Sequence, residues 1–250
     1  MNPVDGNDMD ISIVLCRVTG SGNVGSICRA MKSMGVGKLI LADCPRYEDE
    51  EVRAMAVHAY DVFEKARRFE TLEPALGEFS LTAGFSRRRG EKRKERSESI
   101  RDFVAGARQR GAAPLALVFG NEKDGLSDRE LSLCGLAVHI PTSGSCPSLN
   151  VAQAVQIACY EFFASVGRVP SGHRAAADPA TRKVVDSEVA AIAETLSELG
   201  FFRKSDDSYA RRFLRDLCER AGASAAEVDY LKRLFLKTGA LSSRPPSDRT

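Results

Sequence analysis

Apolar and polar residues alternate along residues 1–165 in blocks of two kinds. Short, continuously apolar runs, typical of buried parallel strands, occur at 11–18, 38–42, 80–85, 115–119 and 137–140. Longer runs with apolar residues at helical spacing follow them, at 24–34, 50–66, 97–110, 128–134 and 149–164. Strands that alternate with helices at these lengths predict an α/β fold, in which helices cover both faces of a mostly parallel sheet.

The pattern changes after residue 165. Residues 166–182 are rich in Pro, Gly and Ala and have no apolar period, so we interpret them as a linker. Beyond the linker, apolar residues recur at helical spacing alone, as at Val189, Ile192 and Leu196. We therefore predict an α/β domain over 1–165, a small all-helical domain over 183–241 and a disordered tail over 242–250.

Composition narrows the functional classes. Of 250 residues, 43% are hydrophobic, which is enough for one α/β core and a smaller appendage. The formal net charge is only +2, so binding to a nucleic acid would depend on local basic patches. The seven cysteines include no Cys-x-x-Cys pair, and residues 1–10 contain no apolar signal core. We therefore expect a cytoplasmic protein with reduced thiols.

Two further classes find no support in the sequence. No apolar run is long enough to cross a membrane. The three histidines, His58, His139 and His173, lie far apart in the sequence. We therefore expect neither a bound metal ion nor a Ser-His catalytic triad.

A glycine-rich motif follows the first predicted strand. Gly20-Ser-Gly22-Asn-Val-Gly25 has the form G-x-G-x-x-G, it opens a helix, and Asp43 ends the next strand. This combination matches the fingerprint of a dinucleotide-binding fold. A nicotinamide-dependent oxidoreductase is therefore one possible function, although the short fingerprint often occurs by chance.

Polar residues follow two later strands. The strand at 115–119 runs into Gly120-Asn-Glu122, and the strand at 137–140 runs into a loop that ends at Pro147-Ser-Leu-Asn150. The carboxyl ends of parallel strands meet at one edge of the sheet, where open α/β sheets bind ligands. An NAD-dependent oxidoreductase gives no reason for these two sequences.

Together, three segments resemble the signature motifs of the SpoU/TrmH family of RNA 2'-O-methyltransferases. They are Asn23-Val-Gly-Ser-Ile-Cys-Arg29, the segment at 115–122 and the segment at 147–150, and they occur in the family's order. The resemblance covers roughly residues 11–164. It implies a SPOUT domain whose C-terminal region forms a trefoil knot, a rare feature in proteins. It also implies S-adenosylmethionine as the cofactor and methyl transfer to a ribose hydroxyl as the reaction.

The resemblance assigns functions to single residues by position. It implies a catalytic set of Asn23, Arg29, Glu122, Ser148 and Asn150. It implies a cofactor-binding set of Phe85, Ser86, Arg87, Gly120, Ile140, Pro147, Ser148 and Leu149. A glycine at 120 would let the backbone approach the ligand closely, and Ile140 would give adenine an apolar wall. The sequence departs from the family at Phe85 and Arg87, where smaller residues are usual.

Each catalytic candidate also has a purely structural interpretation. Asn23, Ser148 and Asn150 are residue types favoured at helix N-termini, and Glu122 could be the acidic residue of a helix start. Arg29 could be a surface residue or the partner of a core carboxylate. As a catalytic residue it would be a poor base, because a guanidinium stays protonated. We expect it to bind a substrate phosphate and polarise the hydroxyl, and whether Arg29 or that phosphate removes the proton stays open.

Basic clusters supply candidate RNA contacts. Residues 87–96 hold seven basic and two acidic side chains, and Arg211, Arg212 and Arg215 lie on one helical turn. Aromatic residues are few, and we interpret Phe201, Phe202 and Tyr209 as core residues.

The resemblance also suggests a substrate and an oligomeric state. Within the family, the length and C-terminal helical pattern are similar to those of a tRNA methyltransferase that modifies position 32 of the anticodon loop. We therefore expect tRNA as the substrate and, by analogy, a homodimer whose interface completes the active site. Methylation of ribosomal RNA and RNA binding without catalysis remain alternatives, together with the oxidoreductase.

Overall fold

The computed structural model describes residues 10–87, 97–110, 114–145, 148–165, 179–202 and 207–242. Within them, a parallel sheet has the strand order β3-β2-β1-β6-β4-β7-β5. The strands are β1 (Ile11–Cys16), β2 (Lys38–Ala42), β3 (Arg67–Phe69), β4 (Leu81–Phe85), β5 (Ser97–Ser99), β6 (Leu115–Phe119) and β7 (Leu136–His139). This confirms the predicted α/β class with a parallel sheet.

Helices connect the strands and continue beyond the sheet. Those of the α/β part are α1 (Ser21–Ser33), α2 (Asp49–Ala56), α3 (Tyr60–Glu64), α4 (Leu72–Ala75), α5 (Ile100–Arg110), α6 (Asp128–Leu133) and α7 (Val151–Ala164). The C-terminal helices are α8 (Arg182–Glu198), α9 (Ser208–Ala221) and α10 (Ala225–Ser242). The knot implied by the family resemblance stays a prediction.

The five predicted strands are all present, and the differences concern short elements. The edge strands β3 and β5 have the sequences RRF and SES, which lack an apolar run. The helix predicted at 50–66 is divided into α2 and α3, because Val57 has a φ of 54° and cannot continue the helix. Helix α4 has only four residues and no clear period.

Two layers of helices bury the two faces of the sheet. On one face, α1, α2, α5 and α7 cover apolar side chains that include Ile13, Leu15 and Leu117, each fully buried. On the other face, the short helices α4 and α6 cover Val14 and Val118. The second layer is thin, because α4 and α6 have only four and six residues.

The C-terminal helices dock against this thinner face. Arg182, at the start of α8, is 2% exposed and lies 3.5 Å from the buried carboxylate of Glu219 in α9. The Thr82 hydroxyl donates to that carboxylate at 3.1 Å and accepts a hydrogen bond from the Gly135 N–H at 2.7 Å. A buried ion pair therefore joins the helices to strand β4 and to the turn that precedes β7.

The predicted division into domains stays a prediction. Helix α8 begins at Arg182, the last residue of the predicted linker. Residues 166–178 and the tail after 242 lie outside the described residues, as does most of the basic run at 87–96. None of the helices in the described ranges has the length and apolar character needed to cross a membrane.

The aromatic residues of the C-terminal helices are not core residues. Phe201 and Tyr209 are 68% and 61% exposed, and Phe202, which packs edge-on against Phe201, is half-buried. The prediction that these three rings lie in the core is therefore wrong. Helical spacing alone identifies the apolar side of a helix, but it does not say which side of the helix meets the body.

Candidate active site

Three predicted catalytic residues meet where β1, β6 and the start of α7 come together. The Glu122 carboxylate accepts hydrogen bonds from the Thr19 N–H at 3.1 Å, from the Gly20 N–H at 2.9 Å and from Asn23 Nδ2 at 3.0 Å. Asn150 Nδ2 in turn donates to Asn23 Oδ1 at 2.9 Å. One continuous chain of hydrogen bonds therefore links the glycine-rich segment, the strand end at 122 and the start of α7.

These contacts keep Glu122 ionised. Partial burial alone would raise the pKa of Glu122, but hydrogen bonds from Gly20, Asn23 and Thr19 outweigh burial and hold the pKa below its usual value. The backbone N–H groups come from the N-terminal end of α1, where the helix dipole also favours a negative charge. Glu122 is therefore a fixed anion at this helix end.

The same geometry argues against a dinucleotide at the glycine-rich loop. In a dinucleotide-binding fold, the N–H groups at this helix start bind the pyrophosphate. Here the Thr19 and Gly20 N–H groups already bind a carboxylate of the protein itself. A pyrophosphate would have to displace Glu122 and would be repelled by its charge. The match to the fingerprint is therefore only formal.

Asn150 both caps helix α7 and contacts another predicted catalytic residue. Its Oδ1 accepts a hydrogen bond from the Ala152 N–H at 2.8 Å, and the Gln153 side chain accepts one from the Asn150 N–H, which forms a capping box at the start of α7. Its Nδ2 remains available for Asn23. The cap therefore fixes the direction in which the amide reaches the site.

The capping interpretations of Ser148, Asn23 and Glu122 are wrong. Asn150 is the N-cap of α7, so Ser148 lies two residues before the cap. Helix α1 begins at Ser21 with Gly20 as its N-cap, so Asn23 lies inside the first turn and does not cap it. The N-cap of α6 is Ser127, with Glu130 as its capping-box partner. Glu122 therefore does not cap α6. Both Asn23 and Glu122 point instead to each other.

A cavity beside this chain of hydrogen bonds is lined by nearly all the predicted cofactor-binding residues. Phe85, Ser86, Arg87, Gly120, Ile140, Ser148 and Leu149 line it. Pro147 lies outside the described residues. Residues that the sequence did not single out also line the cavity, among them Phe119, Asn121, Lys123, Asp124, Gly125, Thr142, Val151 and Ala154. The predicted set is therefore brought together, although its cofactor role stays a prediction.

Two features shape the cavity. The Phe85 ring stacks on Phe119 with centroids 4.3 Å apart, so the unusual Phe85 belongs to an apolar wall. A Cβ at Gly120 would lie 2.2 Å from the Gly125 carbonyl carbon and 2.3 Å from the Leu126 nitrogen. Glycine is therefore needed at 120 because the 121–126 loop folds back on it. This reason holds whether or not a ligand also approaches the backbone there.

The ion pair that holds this loop has no local signal in the sequence. Arg17 follows β1 and binds the Glu130 carboxylate through two nitrogens, at 2.5 and 2.8 Å. Asn121 Nδ2 donates to the Arg17 carbonyl at 2.7 Å. Burial alone would raise the pKa of Glu130, but hydrogen bonds from Arg17 and Ser127 lower it to about 2. Arg17 and Glu130 therefore fix both ends of the segment that carries Glu122.

Arg29 lies apart from this network. It is exposed on α1, and no described residue forms an ion pair with its guanidinium. Six residues separate it from Asn23, about 9 Å along the helix. The interpretation as the partner of a core carboxylate is therefore wrong, and an exposed arginine remains available to a ligand.

A second, open groove runs between α1 and α7 next to the cavity. Asn23, Ser26 and Ala30 line one side, and Asn150, Gln153, Gln156 and Ile157 line the other. Leu149 lines both the groove and the first cavity. Two ligands bound in these spaces would therefore meet at Leu149 and Asn150. Among the described residues no cluster of His, Cys, Asp and Glu could hold a metal ion.

Comparison with known proteins agrees with this arrangement. Residues 10–160 match the SpoU rRNA Methylase family. The chain is 35% identical over 229 residues to the tRNA (cytidine/uridine-2'-O-)-methyltransferase TrmJ of Pectobacterium atrosepticum, covering 90% of this chain and 95% of that one. It is 32% identical over 230 residues to TrmJ of Salmonella typhimurium, with the same coverage of both chains.

Solved structures show the same fold. A methylase family protein from Neisseria gonorrhoeae is 30% identical, with a TM-score of 0.65 over 76% of this chain and 97% of that one. TrmJ from Z. mobilis is 22% identical, with a TM-score of 0.73 over 91% of this chain and 98% of that one. The second similarity extends beyond the sheet, since it covers most of the chain.

Proposed function

This chain belongs to the SpoU methylase family, and we propose that it transfers a methyl group from S-adenosylmethionine to a ribose 2'-hydroxyl of tRNA. The observation that carries the proposal is the hydrogen-bonded chain Glu122–Asn23–Asn150, which joins all three motifs between a cavity and a groove. The similarity to tRNA 2'-O-methyltransferases over 90% of the chain supports RNA as the acceptor.

The cavity has the chemistry that S-adenosylmethionine requires. Phe85, Ile140 and Leu149 offer apolar surface to an adenine ring, and Ser86 and Thr142 offer hydroxyl groups at its edge. Arg87 could bind the carboxylate of the methionine part. When bound, the cofactor supplies a methyl group activated by a sulfonium. The nearby anion of Glu122 would favour that positive charge.

We assign different tasks to Glu122 and Arg29. The Glu122 carboxylate accepts three strong hydrogen bonds and has a lowered pKa, so it is a poor proton acceptor. Its task is to hold Asn23 and the start of α1 in place. Arg29 binds the phosphate beside the target ribose and orients the 2'-hydroxyl. The hydroxyl proton leaves to that neighbouring phosphate as the bond to the methyl group forms, because the protonated guanidinium of Arg29 cannot accept it.

The remaining candidates complete the site. Asn150 and Ser148 flank Leu149, where the groove meets the cavity, and they would orient the ribose. We propose position 32 of the anticodon loop as the target nucleotide, on the strength of the similarity to TrmJ. A tRNA substrate also favours a cytoplasmic location.

We further propose that the protein is a homodimer. Tyr160 and Phe163 of α7 are 53% and 44% exposed, and they continue from Ile157 in the groove. Met55, on the other side of the groove, is 46% exposed. A second copy would bury this apolar surface beside the active site. Light scattering should give a dimer mass that Tyr160→Asp reduces to that of the monomer.

One experiment tests the main proposal. Purified protein and S-adenosylmethionine carrying a labelled methyl group are incubated with total tRNA and, separately, with ribosomal RNA. We expect label in tRNA, mapped to a 2'-O-methylated nucleotide at position 32. Label in ribosomal RNA alone would show that ribosomal RNA, and not tRNA, is the substrate. Thermal stabilisation by NAD and not by S-adenosylhomocysteine would overturn the function itself.

A further inference from the structure

Helix α9 is attached to the protein by ion pairs and by a small apolar cluster, in which its Leu214 and Cys218 pack with residues of α8 and α10. Glu219 is buried against Arg182 and Thr82, and Arg215 binds Asp186 at 2.7 Å. The residues of α9 that are fully buried are Cys218 and Glu219. An amphipathic helix normally buries its apolar side. Here one edge of the apolar side packs beside the anchoring ion pairs, and the rest of that side is left exposed.

A large part of the apolar side of α9 faces solvent. Tyr209, Phe213 and Leu217 follow one another at intervals of four residues, so they form a stripe along one side of the helix. Their side chains are 61%, 51% and 42% exposed. At 3.6 residues per turn, this stripe lies roughly opposite Arg215 and Glu219. The orientation follows from the anchoring ion pairs.

Two arginines border the stripe. The Arg212 guanidinium lies 5.6 Å from the centre of the Tyr209 ring. Arg220 is on the same side of the helix as Tyr209, and within the described residues neither Arg212 nor Arg220 forms an ion pair. By contrast, Arg211 is paired with Asp207 at 2.6 Å, and Arg215 is paired with Asp186.

We propose that this face of α9, made of Tyr209, Arg212, Phe213 and Arg220, binds unpaired nucleotides of the RNA substrate. Exposed rings provide stacking platforms for unstacked bases, and the neighbouring guanidinium groups provide contacts to phosphates. The face fits single-stranded RNA because it combines two rings with two arginines that form no ion pair among the described residues. Its described residues include a single carboxylate, that of Asp216. The inference rests on the proposed function, since it takes RNA as the substrate.

The competing occupant of this face is a second copy of the chain. The effect of a substitution at Leu217 distinguishes RNA from this second copy. Base stacking uses rings, so Leu217 should contribute little to RNA binding. A helix of a second copy would use all three side chains of the stripe as apolar surface.

The test measures RNA binding of the full-length protein by fluorescence anisotropy at one fixed salt concentration. The probe is a short RNA stem-loop with an unpaired loop, and the same strand annealed to its full complement is the comparison. We expect Tyr209→Ala and Phe213→Ala each to weaken stem-loop binding by roughly 5- to 100-fold. Tyr209→Phe should restore binding, and Tyr209→Leu, which is apolar but has no ring, should not. Leu217→Ala should stay within about twofold of wild type.

The possible outcomes are distinct. Tyr209, Phe213 and Leu217 are all exposed, so the variants should unfold within a degree or two of wild type, which thermal denaturation checks. Equal binding by wild type and both alanine variants would overturn the inference and leave the proposed function intact. Loss of self-association in all three stripe variants, with RNA binding unchanged, would assign the face to a second copy. A wild-type protein that binds no RNA would instead contradict the proposed function.

Discussion

Replacing Gly120 with alanine separates two reasons for a glycine beside the cavity. If the glycine only makes room for a cofactor, the substitution should leave the free protein unchanged and weaken cofactor binding. If the glycine is needed by the loop, the free protein should already be less stable. The structure supports the second reason, because the added Cβ would lie 2.2 to 2.5 Å from three backbone atoms of Gly125 and Leu126.

The size of the effect follows from these distances. Ordinary contact begins at 3.4 Å, so the loop must move by about 1 Å. The loop is short and tied by the hydrogen bond from the Gly125 N–H to the Asn121 carbonyl at 2.8 Å. We expect Gly120→Ala to cost about 2–3 kcal/mol of folding free energy, within the range for overpacked sites. For a chain of this size the melting temperature should fall by roughly 5–10 °C.

The displaced loop should also disturb the site. Glu122 follows Gly120 by two residues and accepts hydrogen bonds of 2.9 and 3.0 Å from Gly20 and Asn23. A shift of about 1 Å would break bonds of this length. We therefore expect weaker binding of S-adenosylhomocysteine by calorimetry, in addition to the lower melting temperature.

Gly37→Ala is the matched control. Nothing lies within 4 Å of a Cβ at Gly37, and its φ is not in the left-handed region. This variant should melt at or slightly above the wild-type temperature, because alanine reduces the freedom of the unfolded chain. The reasoning would be refuted if Gly120→Ala melted at the wild-type temperature without ligand, whatever its affinity for S-adenosylhomocysteine.

Three further predictions concern Arg29, Glu130 and Glu219. Arg29→Ala should reduce methyl transfer at least 100-fold, roughly the contribution expected of a positioning group, while calorimetry shows S-adenosylhomocysteine affinity within about twofold; near-normal transfer would remove Arg29 from the mechanism. Because the pKa of Glu130 is about 2 in the folded protein against an ordinary 4.5, its hydrogen bonds with Arg17 and Ser127 together should add about 2 kcal/mol above pH 4.5, after a reduction for solvent exposure. That stability is lost as the pH falls from 4.5 towards 2, and denaturation curves of Arg17→Met should show a smaller loss over this range. Glu219→Ala leaves the buried Arg182 with only the half-exposed carboxylate of Asp186 as an ionic partner and should cost about 3 kcal/mol by chemical denaturation. Glu219→Leu combined with Arg182→Met should recover most of this loss, and an unchanged stability in the single variant would contradict the importance of the pair.

The parts of the fold that could be predicted are those with a local signal. The five apolar strands and the parallel sheet follow from runs of buried residues such as 115–119. Strands β3 and β5 have no such signal, because they are short and polar, and each pairs with one neighbouring strand in the described part of the sheet. The break at Val57 could not be foreseen, since a β-branched residue rarely adopts a positive φ.

In the site, too, only those roles that depend on neighbours in the sequence could be predicted. Asn150 could be predicted as a helix cap, since capping depends on neighbours in the sequence. The bonds of Glu122 to Gly20 and of Arg17 to Glu130 join residues about one hundred positions apart. Such contacts depend on the strand order, which brings β1 beside β6. No local pattern distinguishes Glu122 from a helix-capping acid or Arg17 from an ordinary surface arginine.

The glycine-rich loop explains why one motif can have two meanings. A strand followed by G-x-G-x-x-G and a helix places free N–H groups at the edge of a sheet, and these groups bind an anion. In a dinucleotide-binding protein the anion is a pyrophosphate, and here it is the Glu122 carboxylate of the neighbouring strand β6. The physical requirement is the same in both cases, so the motif alone cannot identify the anion. The residue that follows the adjacent strand decides between them: a carboxylate within reach of the loop occupies the N–H groups itself and directs the ligand to the cavity beside it.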